Sequence, residues 1–138
     1  MNRRRLLGQL STLCGVGIAG CTGIPGLADD FDVGMTPNAF EPHDITVEVG
    51  DTVVWLNNGS RAHTVTAYEL SLPASAAFFA SGGYETEDIA REAWNQREGG
   101  NIVTGQRYTH TFDTPGQYPY FCVPHESHGM VGTVVVEE

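Results

Sequence analysis

Three side chains late in the chain have the types and spacing of a soft-metal ligand set. Cys122, His125 and Met130 stand as C-x2-H-x4-M, which offers a thiolate, an imidazole and a thioether within one nine-residue stretch. Soft sulfur beside imidazole selects copper over the hard cations, because a polarizable thiolate stabilises both of its oxidation states. A second imidazole is still required. His63 is the best candidate, since it follows Asn57-Asn58-Gly59 at the start of a predicted strand, where a side chain reaches the end of a sandwich or barrel. Two histidines and one cysteine in a plane, with a distant methionine on the axis, make the type 1 copper arrangement. His128, three residues after His125, is a rival to Met130 in a bent loop. Zinc would also accept two histidines and a cysteine. His43 and His110 read as ordinary strand residues.

The elements that must position these groups read as strands. Ile45, Val47 and Val49 alternate with Thr46 and Glu48, Gly50-Asp51 makes a turn, and Thr52 to Leu56 runs into Asn57-Asn58-Gly59. Further strands are predicted over Ala62 to Tyr68, Arg107 to Phe112, Gln117 to Cys122 and Gly132 to Glu138, with Thr114-Pro115-Gly116 as a turn. Short strands with regular turn signals imply an all-β sandwich or barrel. One segment departs from this. Thr86 can cap a helix over about 86–97, with Glu87 and Asp88 in its first turn, Ile89, Ala90, Ala93 and Trp94 as an apolar stripe, and Gly99-Gly100 beyond.

The N-terminal segment reads as an address label. Arg3-Arg4-Arg5 precedes an apolar run closed by small residues, so residues 1–20 are expected to be a signal peptide of twin-arginine type. Ile18-Ala19-Gly20-Cys21 has the form of a lipobox, in which Cys21 takes lipid and tethers the protein to a membrane. Residues 21–38, rich in Gly, Pro and Asp, are expected to be a flexible tether, and 39–138 the folded domain. Cys122 is then the one thiol left in that domain, which excludes an internal disulfide.

With 138 residues and 41% hydrophobic composition, the chain holds one such domain and no large multi-domain enzyme. There is no lysine, and beyond residue 20 four arginines face 17 acidic residues, a net charge of about −13. Such a surface repels nucleic acid and anionic lipid. No phosphate-cradling glycine loop or G-x-S-x-G is present.

The strands from Phe40 to Asn57, the stretch from Asn57-Asn58 to His63 and the Cys122 to Met130 loop resemble the plastocyanin branch of the cupredoxins. Ala62 to Tyr68, the Phe79-Ala80-Ser81-Gly82-Gly83 run and the following helix look most like the halocyanins, membrane-anchored members from salt-loving archaea. The resemblance implies an eight-stranded Greek-key β-sandwich with one short inserted helix. It implies one type 1 copper ion, cycling between Cu(II) and Cu(I), held by His63, Cys122, His125 and Met130. Asn58, by its place in the motif, would hydrogen-bond near the cysteine and pin the two ligand loops, unless it is only a turn asparagine. Pro124 would remove a backbone donor to the sulfur.

The function implied is outer-sphere electron transfer and not enzymatic catalysis, by a lipid-anchored monomer on the outer face of the cytoplasmic membrane. Its partners would be redox proteins of a respiratory or related chain. His125 would be the electron exit, with Pro124, Met130 and the 57–62 loop around it. The family's usual tyrosine before the cysteine is here Phe121, which leaves a second exit on that side open to question. The acidic, lysine-free composition would be a halophile's solvation strategy. The alternative is a copper buffer or delivery module, which needs the same ligands without fast electron exchange.

Overall fold

Alternating apolar residues on Asp44–Glu48 (β3) and Val131–Glu137 (β8) place Ile45 and Val47 beside Val134 and Val136 on one buried face. The two strands run parallel, and β8 pairs on its other side with antiparallel Gly116–Phe121 (β7), which pairs in turn with Thr66–Ala67 (β5). The second sheet has the order β2-β1-β4-β6, built from Phe40–Glu41 (β2), Val33–Met35 (β1), Thr52–Leu56 (β4) and Arg107–Thr111 (β6). Among the described residues, eight strands in two mixed four-stranded sheets make the expected all-β sandwich. Trp55 fills the space between them, fully buried, with Tyr120 edge-on at 5.4 Å and Tyr108 at 5.5 Å between ring centroids.

These elements come from a computed structural model that describes residues 30–138. The export signal expected over 1–20, the lipid site Cys21 and the first part of the expected tether, 21–29, lie outside the described residues. Asp32–Glu138 is one compact unit. No helix among the described residues is long and apolar enough to cross a membrane.

Three expectations change. The tether expected to reach residue 38 overlaps the sandwich, because Val33 and Met35 are fully buried and β1 pairs with both β2 and β4. Three residues are too few to show a period, and their partners on β4 lie 22 positions on, so only the assembled sheet reveals them. The strand expected over Ala62 to Tyr68 is confined to Thr66–Ala67. The backbone upstream is divided among unlike partners: His63 bridges Ile102, the Thr64 N–H faces the Cys122 sulfur, and the Val65 N–H donates to Ser81 Oγ. Such a stretch is extended without belonging to one ladder.

The inserted helix (α1) is Glu87–Arg97, with Thr86 Oγ1 accepting from the Ile89 N–H at 3.1 Å. Ala90 and Ala93 are its buried residues, while Ile89 is 47% exposed, so its apolar stripe is narrower than expected. The small alanines let α1 lie close on β5 and on the loop that follows β7.

Candidate metal centre

β7 carries buried Tyr118 and Tyr120 down the inside of the sandwich, turns Phe121 to its other, helix-covered face, and delivers Cys122 at its end. A 3-10 turn, Val123–His128, follows, with Pro124 in its first turn where a missing N–H costs nothing. The Cys122 N–H donates to the Met130 carbonyl at 3.1 Å and the Met130 N–H to the His125 carbonyl at 3.2 Å. Gly129, at φ 84°, supplies the left-handed residue that ends the turn and sends the chain into β8. The loop thus brings Cys122, His125 and Met130 to one end of the sandwich.

His63 arrives there from the other side. Its N–H and carbonyl bridge Ile102, at 3.3 and 2.7 Å. The preceding loop packs tightly against β1: a side chain at Gly59 would sit 2.8 Å from the Met35 carbonyl oxygen. Cys122 Sγ lies 3.6 Å from His63 Nδ1 and 3.5 Å from His125 Nδ1. The three donor atoms all fall within 4.8 Å of one another. Metal–donor bonds of about 2.0 Å to imidazole and 2.3 Å to thiolate, at trigonal angles, separate N from S by roughly 3.7 Å. The pocket therefore has the dimensions of a metal site before any ion enters it. Met130 joins this end of the core fully buried, whereas His128 is exposed, its ring centroid 6.4 Å from that of His125. Met130 is accordingly not part of the surface rim.

The electrostatics match the geometry. Burial, then the neighbouring His125, lowers the His63 pKa to about 4; the Thr36 backbone acts in the opposite sense, although His63 Nε2 forms no hydrogen bond. Burial also lowers the His125 pKa, helped by Arg61 and His128. Both rings are thus neutral at ordinary pH, with lone pairs free for a metal. Burial pushes the Cys122 thiol up to about 11, opposed by the Thr64 and His125 backbone N–H groups and the Thr64 hydroxyl. A cation must displace that proton, so loading the site releases one.

Two supporting residues differ from the expected one. Asn58 is exposed, and no hydrogen bond from its side chain is seen; the adjacent Asn57, fully buried, ties the loops together. Asn57 Nδ2 donates to the carbonyls of Arg61 and Ile102 at 2.6 and 2.7 Å, and its Oδ1 accepts from the Gly59 N–H at 3.0 Å. Thr64 bonds at the cysteine itself: its N–H faces Sγ at 3.4 Å, and its Oγ1 accepts from the Val123 N–H at 2.9 Å. An asparagine two residues before a glycine is a turn signal that could have marked Asn57. Thr64 had no signal beyond standing next to His63.

Residues 30–137 match the model of the copper binding proteins of the plastocyanin/azurin family. The chain belongs to this cupredoxin family. It is 31% identical over 134 residues to the chloroplastic plastocyanin of Tetradesmus obliquus, covering 95% of this chain and 83% of that one. It is 34% identical over 98 residues to the plastocyanin of Scenedesmus fuscus, with 71% and 86% covered. Among solved structures, the pseudoazurin from Sinorhizobium meliltoi aligns with a TM-score of 0.54 at 27% identity over 77% of this chain and 72% of that one. An oxidized amicyanin variant aligns with a TM-score of 0.54 at 27% identity, covering 80% and 89%. This cupredoxin is therefore a blue copper protein of electron transfer, a carrier and not an enzyme. Type 1 copper suits its His-Cys-His donor group.

Proposed function

We propose that this cupredoxin is a halocyanin-like mobile carrier, anchored by lipid on Cys21 to the outer face of the cytoplasmic membrane. It would act as a monomer, exchanging single electrons with redox proteins of a respiratory or related chain. His63, Cys122 and His125 would hold the copper ion, with the buried Met130 thioether as the fourth donor. The single observation that carries this reading is the convergence of two neutral imidazoles and one thiol, from segments 59 positions apart, on one buried point.

A bound copper supplies a one-electron couple, Cu(II)/Cu(I). The chain's part is to hold the donors still and to leave one way out. Asn57, Thr64 and the bridge between His63 and Ile102 fix both ligand segments from behind, so little structure moves when the charge changes. Cys122, His63 and Met130 are 0% exposed, while His125 keeps 8%, which makes its ring the bridge to a partner. Phe121, on the opposite side of the cysteine, is completely covered. In molar salt the Debye length is about 3 Å, so docking at His125 depends on short-range contact and not on long-range steering of an acidic molecule.

Absorption and EPR spectra of the copper-loaded chain test the site. An intense thiolate-to-copper band is expected, and Cys122→Ser abolishes it. A colourless protein that holds only Cu(I) would instead make it a buffer or delivery module. Cell fractionation tests the anchor: the wild type should sediment with membranes and Cys21→Ser should be released. A wild type found in the soluble fraction would refute the anchoring.

A further inference from the structure

Phe121, just before Cys122, and Glu126, just after His125, are both held by one side chain of the inserted helix. Arg91 lays its guanidinium carbon 4.2 Å from the centroid of the Phe121 ring. Its NH1 and NH2 donate to the two oxygens of Glu126 at 2.7 and 3.2 Å. Its Nε donates to Glu87 Oε2, one helical turn back, at 2.9 Å. Tyr68 completes the cluster: its ring lies tilted against Phe121 with centroids 4.4 Å apart, and its hydroxyl donates to Glu126 Oε2 at 2.6 Å.

An isolated surface ion pair contributes little, because two flexible chains must be ordered in high dielectric. This pair departs from that case on three counts. The fork is bidentate, which fixes orientation as well as distance. It lies on an aromatic face, and both side chains are about one-third exposed, 34% and 31%. The carboxylate it grips belongs to a 3-10 turn of six residues, Val123–His128, a type of helix whose hydrogen-bond geometry is poorer than an α-helix's. Such a turn gains its shape from outside.

We infer that Arg91 is a positioning residue for the metal centre: through Glu126 and Phe121 it makes helix α1 a brace that sets the Val123–His128 turn and with it the His125 ring. The inference rests on the copper reading for its consequence, but the brace itself exists without the ion. It also gives the inserted helix a role that the sandwich does not require of it.

The test compares Arg91→Met, Arg91→Lys and Glu126→Gln with the wild-type full chain. In the copper-loaded protein, each variant should release copper to excess EDTA roughly 10–100-fold faster, the usual scale for residues that orient ligands, and should broaden the copper EPR spectrum. In the metal-free protein, each should strip hydrogen-exchange protection from the His125, Gly129 and Met130 amides while the β7–β8 amides stay protected. Combining Arg91→Met with Glu126→Gln should cost less than the sum of the two alone, because both remove the same fork; strictly additive effects would overturn the inference. Wild-type behaviour in Arg91→Lys would overturn the inference, leaving only a charge effect. A lowered melting temperature with unchanged EPR, release and loop protection would overturn it too, leaving only a fastener for the helix. Absence of a blue band in the wild type would sink the copper reading, and the hydrogen-exchange comparison would still decide the brace.

Discussion

The backbone N–H of Thr64 points at the sulfur of Cys122 from 3.4 Å, while the Thr64 hydroxyl accepts from the N–H of Val123, the next residue, at 2.9 Å. One residue beside His63 thus grips the cysteine segment at two points. Thr64→Val keeps the shape and the backbone N–H contact to sulfur but leaves the Val123 N–H without its acceptor, at a cost of about 1–3 kcal/mol. The urea midpoint of the copper-loaded protein should fall while the thiolate-to-copper band keeps its position. A midpoint unchanged from wild type would show that the hydroxyl is not needed.

Asn57 and Asn58 should behave as opposites. Asn57→Ala removes three hydrogen bonds, two within the His63 loop to Arg61 and Gly59 and a buried one from it to Ile102, and should cost about 2–4 kcal/mol. Asn58→Ala changes an exposed residue and should stay within about 0.5 kcal/mol of wild type. Denaturation curves for the pair decide it; equal losses would contradict the assignment to Asn57.

Met130 and His128 compete for the axial position, and their burial separates them. Met130→Leu should keep a blue site and raise its reduction potential, since the axial ligand tunes that potential. His128→Ala, at an exposed position outside the core, should leave the visible spectrum as it is. If His128→Ala abolishes the spectrum and Met130→Leu does nothing, the axial ligand is the imidazole.

Acid sensitivity should have a source remote from the metal. His110 stacks on Phe79 at 4.5 Å and meets Phe112 edge-on at 4.7 Å, and burial lowers its pKa, with Asp113 opposing in part. Well above pH 6.5 the ring is neutral whether the chain is folded or not, so it adds no pH dependence there. Below that, the unfolded chain takes a proton that the folded one resists, and stability declines as the pH falls. Melting temperatures of the copper-loaded protein between pH 7 and 5 should drop in the wild type and less steeply in His110→Phe. Parallel slopes would remove His110 as the cause.

That the Cys122 to Met130 loop could serve a soft metal was legible in the order of amino acids alone, because a thiolate, an imidazole and a thioether at C-x2-H-x4-M leave few other uses for that loop. The β alternation of β3, β4 and β8 and the capped helix at Glu87–Arg97 were legible for a similar reason: each signal is local, repeated at a period of 2 or marked by Thr86 at the start. What remained hidden lies where a residue's role is set by something distant in sequence. Val33 and Met35 became core only beside β4, Asn57 displaced Asn58 because its side chain turns inward toward Ile102, and Arg91 met Glu126 only after the helix had folded over the loop. Donor identity is written in the residues themselves, whereas the 3.5 and 3.6 Å spacings that make three donors one site exist only once two sheets have closed around them.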